Sequence, residues 1–140
     1  MKHLLIVLLL SSAGWAQKVY VDSSVKSEDV VGNAFVFAVK EQLRKSATYT
    51  VLDASDGKCV EIDLVSVKDG EGATAISVVT RMPWNDGGSL LIGQQVLLVG
   101  RAKVDEMAAN LVADTDASLS KLRATFLKEL SKTTPPSAAH

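Results

Sequence analysis

The sequence predicts an α/β fold: a two-layer α+β sandwich in which a five-stranded mixed sheet carries both helices on one face, in the order β-α-β-β-β-β-α. Three observations point there. Five short segments rich in Val, Ile, Leu and Thr alternate apolar with polar residues or read as β formers, and two longer stretches repeat apolar residues at threes and fours. Clusters of Gly, Asp and Ser separate most of them, as turns require.

Lys18 to Asp22 alternates Val19 and Val21 with polar neighbours and stops at Ser23-Ser24, a first strand. Ser27 is then an N-cap candidate, with Glu28 and Asp29 in the first turn of a helix over 29–46. Its apolar stripe is Val30, Val31, Ala34, Phe35, Ala38, Val39 and Leu43, and Arg44 and Lys45 sit at the C-terminal end, where the helix dipole favours them. Tyr49 to Asp53 is a second strand ending in Asp53-Ala-Ser-Asp-Gly57, with Gly57 free to take positive φ. A strand–helix–strand unit within one sheet defaults to a right-handed parallel crossover. Residues 59–67 set Val60, Ile62 and Leu64 against Glu61 and Asp63, and 74–81 alternates again beyond the turn at Lys68–Gly72, so the two make an antiparallel hairpin. Met82 to Gly88 is a loop and Leu90 to Val99 a final strand. After Gly100 the period changes. Val104, Met107, Ala108, Leu111, Thr115, Leu119, Leu122, Phe126 and Leu130 mark one long amphipathic helix, or two broken near Asp114-Thr115-Asp116. With both helices on one face, the side of the sheet bearing Glu61 and Asp63 stays open.

The 140 residues divide into a signal peptide at 1–16, a single domain at 17–131 and a disordered tail at 132–140. Lys2-His3 forms a basic n-region, Leu4–Leu10 an uninterrupted apolar run, and Gly14-Trp15-Ala16 supplies small residues before Gln17. The apolar run is far shorter than the roughly 20 residues that cross a membrane, so export to the periplasm or medium is expected and a stable span is not. Losing Lys2 moves the formal net charge from −1 to −2, which gives no reason to seek nucleic acid.

The two histidines are His3 and His140, one in the leader and one at the last position, so the domain has no internal imidazole for a Ser-His-Asp, Cys-His or His-metal site. Cys59 is the single cysteine: it is either a small buried hydrophobe or, if exposed, a link between chains. Asp53, Asp56, Glu61 and Asp63 are the densest carboxylate cluster, but their spacing does not match a calcium loop. Asp116-Ala-Ser118-Leu-Ser120 spells a D-x-S-x-S string that keeps helical periodicity, and Asp22-Ser-Ser-Val-Lys-Ser27 has no glycine to cradle a phosphate. Ser23, Ser24 and Lys26, or Lys45 and Ser46, are neighbours at element ends where water keeps the lysine charged. No cofactor or metal is expected. Trp84, on a polar Gly-rich loop with Asn85 and Asp86, is a candidate contact anchor, or else it folds back onto the sheet. Together with Glu61 and Asp63 these residues are the candidates for partner contact.

Val19-Tyr-Val-Asp22, Val31-Gly32 at the helix start, Leu43-Arg-Lys-Ser46 at its close, Tyr49-Thr-Val-Leu-Asp53 and Ile62-Asp-Leu-Val-Ser66 resemble small uncharacterised exported bacterial proteins. More distantly they are similar to the amino-terminal domain of TolB and to the periplasmic activators of penicillin-binding proteins. The resemblance implies a two-layer plan over residues 18–130 and a role in binding envelope partners without catalysis. The chain departs from the pattern in having no lipobox cysteine and no β-propeller after the domain. The sequence reading is therefore an exported binding or accessory module of the envelope, with an envelope protein or a second copy as partner. The alternatives are a small hydrolase using carboxylates or a Ser-Lys pair, and a structural homo-oligomer.

Overall fold

The computed structural model describes residues 16–70, 72–84 and 87–133. Most of the expected signal peptide, Asn85 and Asp86, and the tail from 134 onward lie outside the described residues. The elements are β1 (Gln17–Ser24), α1 (Val30–Lys45), β2 (Tyr49–Leu52), β3 (Val60–Asp69), β4 (Ala73–Pro83), β5 (Ser89–Gly100), a short 3-10 turn (Arg101–Lys103) and α2 (Val104–Thr133).

They form one five-stranded mixed sheet in the order β2-β1-β3-β4-β5, with both helices on one side. β1 runs parallel to both its neighbours, and β3, β4 and β5 are an antiparallel meander. The alternation read in the sequence sorts the strands into two faces. Val19, Val21, Val60, Ile62, Leu64, Ile76, Val78 and Val99 are buried under the helices. The helices answer with Val31, Phe35, Val39 and Leu43 from α1 and Ala108, Leu111 and Leu119 from α2, at the threes and fours that make one helical stripe. Phe35, Leu43, Ile62 and Leu64 are fully buried, and each stabilises the fold by about 1.5–3 kcal/mol.

Asp29, not Ser27, caps α1, and the first turn of the helix holds no acid. The reason lies in the distant strands. Asp29 Oδ1 accepts the Gly32 amide at 2.8 Å, while Oδ2 accepts Ser66 Oγ of β3 at 2.6 Å and Thr74 Oγ1 of β4 at 2.7 Å. One carboxylate thus satisfies the helix N-terminus and two sheet hydroxyls together. Gly32 is required there: a Cβ would stand 2.4 Å from Asp29 Oδ2 and 2.8 Å from Ser66 Oγ.

The second helix runs unbroken from Val104 to Thr133, through Asp114–Asp116 and two residues into the expected tail. Two of the three residues that threatened a break, Thr115 and Asp116, have side-chain partners. Thr115 Oγ1 donates back to the Leu111 carbonyl at 2.9 Å, and Asp116 accepts the hydroxyl of Tyr49 on β2. Packing overrides the weak helical preference of these residues.

The face away from the helices is open along β3, β4 and β5, but at β1 it is crossed by chain. Leu52 at the end of β2 lies level with Tyr20, and Val60 at the start of β3 lies level with Val19, so residues 53–59 must pass over β1 to join them. Lys18, which alternates away from the buried Val19, bonds Asp56 at 3.0 Å, and Ser55 donates to Glu61 on the same face. The connection therefore lies on the uncovered side and partly roofs it. At its end Cys59 is 1 % exposed, a free thiol beside Ser55 that stands outside the main core.

Candidate functional site

The uncovered face has two unlike ends. At the end near the 53–59 connection, Tyr20, Glu61 and Arg81 share one row across β1, β3 and β4, and Asp22 lies opposite Asp63. Arg81 Nη2 bonds Asp63 Oδ2 at 2.5 Å and reaches Glu61 Oε2 at 3.6 Å, so one guanidinium holds two carboxylates that would otherwise repel. The backbone amide of Lys58 and the Lys18 ammonium hold the Asp56 carboxyl below its usual range. These side chains are partly exposed and tied to one another, an arrangement that fixes strand register and presents an acidic corner.

Toward the other end the same face turns apolar. Val67 of β3, Ala75 of β4 and Leu98 of β5 form one row, and Val65, Ser77 and Val96 form the next. Val67 is 68 % exposed, Val96 72 % and Leu98 62 %, and Val65 and Leu91 are also exposed. Isolated surface valines are ordinary, whereas adjoining apolar rows on an uncovered sheet face are the kind of patch that marks a contact surface.

The candidate contact residues that the structure describes fall on two sides of the sheet. Glu61 and Asp63 are on the open face. Trp84 follows β4 and stacks on Phe126 of α2, ring centroids 5.5 Å apart, while its amide closes the loop on the Gly88 carbonyl at 2.9 Å. The indole is 38 % exposed and serves the helix layer on the opposite side from Glu61. Asn85 and Asp86 lie outside the described residues.

Two polar groups on the helix side are structural anchors. Burial pushes the Asp29 carboxyl upward, but the hydrogen bonds from Ser66, Thr74 and Gly32 and the charge of Lys68 outweigh it, so the group sits below its usual range and is ionised. Burial and the neighbouring Asp116 drive the Tyr49 hydroxyl well above its ordinary value, so it stays a donor. A cleft of about 470 Å³ beside Val30, Ala34, Phe37 and Val104, and one of about 210 Å³ beside Glu28, Lys68 and Arg101, flank the N-terminus of α1. Neither includes Asp53, Glu61 or Asp63. No three His, Cys, Asp or Glu side chains among the described residues are grouped to hold a metal ion. No helix among the described residues is long and apolar enough to cross a membrane.

Arg81 and the apolar rows were missed in the sequence, although the signal for Arg81 was present: a hairpin closing at Lys68–Gly72 sets position 81 opposite Glu61. Comparison with known protein families and with curated proteins finds no match to this chain.

Proposed function

We propose that the protein is an exported, non-catalytic binding module of the bacterial envelope that works through the uncovered face of its sheet. The observation that carries this reading is the pair of exposed apolar rows built on Val65, Val67, Val96 and Leu98, on a sheet whose other face already has a complete core. Export is supported by the leader-like start of the chain and by the position of β1, which begins at Gln17 with its amide bonded to the Thr48 carbonyl at 2.7 Å. Cleavage after Ala16 would leave every element among the described residues intact. Val67→Lys tests the contact surface, because it adds charge at a residue that is already exposed. Immobilised chain beginning at Gln17 is expected to capture partners from an envelope extract that the variant does not, with unchanged circular dichroism. Identical capture by both proteins refutes the reading. The intact mass of protein recovered from a secreting bacterial host is expected to place the N-terminus at Gln17.

A further inference from the structure

The open face ends at β5, and that strand is built unlike a protected edge. It is 12 residues long, spans Ser89–Gly100, and contains no Lys, Arg, Asp, Glu or Pro. Natural edge strands are kept apart by charge, proline, brevity or a bulge that turns the edge away, and of these β5 has only a bulge, at Ile92, next to the uninterrupted ladder Gly93–Gly100. The opposite edge, β2, obeys that rule with only 4 residues. Among the described residues nothing pairs with the outer side of β5.

From this we infer that β5 is a self-association edge, through which two copies of the chain pair antiparallel and join their five-stranded sheets into one of ten strands. The inference rests on the reading of the open face as a contact surface and names the partner at its border. Charge admits this occupant: with no ionisable side chain in β5, two copies meet no like-charge repulsion. Side-chain character selects it. Leu91, Val96 and Leu98 are exposed on the open face, and Leu90, Ile92 and Leu97 are only partly buried on the helix side, so a strand docked here must be apolar on both faces. β5 itself is such a strand.

The register follows from the pleat, because paired residues must point to the same face. Antiparallel pairing centred on Leu97 sets Val96 opposite Leu98 of the second copy, and Leu98 opposite its Val96. The row Val67, Ala75 and Leu98 of one molecule then continues through Val96, Ser77 and Val65 of the other, and the reverse holds on the far side of the axis. The bulge sits in β5 itself, where Ile92 is the extra residue between Leu91 opposite Arg81 and Gly93 opposite Thr80, so it lies beyond this stretch and Gly93–Gly100 is regular ladder. This register pairs Gln94–Gly100 of each copy, a contact well below the roughly 20–30 residues a side of a standard interface, so the dimer should dissociate on dilution.

Size-exclusion chromatography with light scattering across a concentration series tests this on the chain beginning at Gln17. Wild type is expected to rise toward twice the monomer mass. Val96→Lys should remain monomeric with unchanged circular dichroism, and so should Leu98→Glu. Mixing these two variants should restore the doubled mass, since the register places the introduced ammonium of one molecule directly opposite the introduced carboxylate of the other. A wild type that stays monomeric at every concentration overturns the inference, as does a dimer that both variants retain or a mixture that stays monomeric. A monomer whose partner capture still depends on Val67 would remove the self-pairing edge and leave the reading of the open face standing. A dimer whose capture ignores Val67 would do the reverse.

Discussion

On the helix-covered face Asp29 is 2 % exposed and accepts three hydrogen bonds from three different elements. On the uncovered face Asp63 and Glu61 share Arg81 in contact with water. Both are carboxylate clusters that tie strands together, yet burial gives them very different weight. A carboxylate removed from water has no alternative partners, so each of its bonds matters, whereas solvent replaces whatever the exposed cluster loses. The covered face is where the fold is decided. The open face is free to vary its side chains.

The largest expected effect comes from breaking the buried cluster. Asp29→Ala removes the helix cap and strands the Ser66 hydroxyl and the Gly32 amide, and should cost about 3 kcal/mol in denaturant unfolding. A loss below about 1 kcal/mol would erase the contrast between the faces. The same group sets an acid limit. Its folded pKa lies below the ordinary 3.8, so its stabilisation is present above that pH and disappears as pH falls through the lower, folded value. Asp29→Asn should flatten the decline of stability below pH 3.8 relative to wild type.

Gly32→Ala comes next. Alanine would favour the helix by about 1 kcal/mol, but its Cβ collides with a carboxylate that cannot retreat, and a net loss of about 2 kcal/mol is expected. A more stable variant would show that Asp29 is loosely held. A double-mutant cycle of Trp84→Ala and Phe126→Ala should return a coupling of about 0.5–1.5 kcal/mol by thermal or denaturant unfolding, and no coupling would release Trp84 from the helix layer. The smallest effect belongs to the open face. Arg81→Gln should cost less than about 1 kcal/mol, and the loss should shrink as salt is added.

Much of this architecture was legible because period is a local property. Val19 and Val21, the Val60-Ile62-Leu64 alternation and the Phe35-Val39-Leu43 stripe each declare their element and buried side within a few residues. What escaped depended on residues far apart in sequence. Asp29 caps the helix in place of Ser27 because Ser66 and Thr74, 37 and 45 residues on, reach the same carboxylate. The second helix stays whole through Asp116 because Tyr49 meets it from 67 residues away. The passage of 53–59 over β1 follows from two parallel registers at once, and no window of sequence contains both. For the candidate contact surface, the apolar content of 89–100 was plain, but its meaning depended on topology: the same residues in a central strand would be ordinary core.

The thiol of Cys59, tucked under residues 53–58 at the end of the connection, makes that segment its own motion recorder. Cys59 is sealed at 1 % exposure, and the roof over it is fastened by the exposed bridge between Lys18 and Asp56. A reagent can reach the sulfur only during intervals when the roof lifts, so the labelling rate counts those intervals. While the segment stays closed, a dissolved oxidant has no direct path to the sulfur.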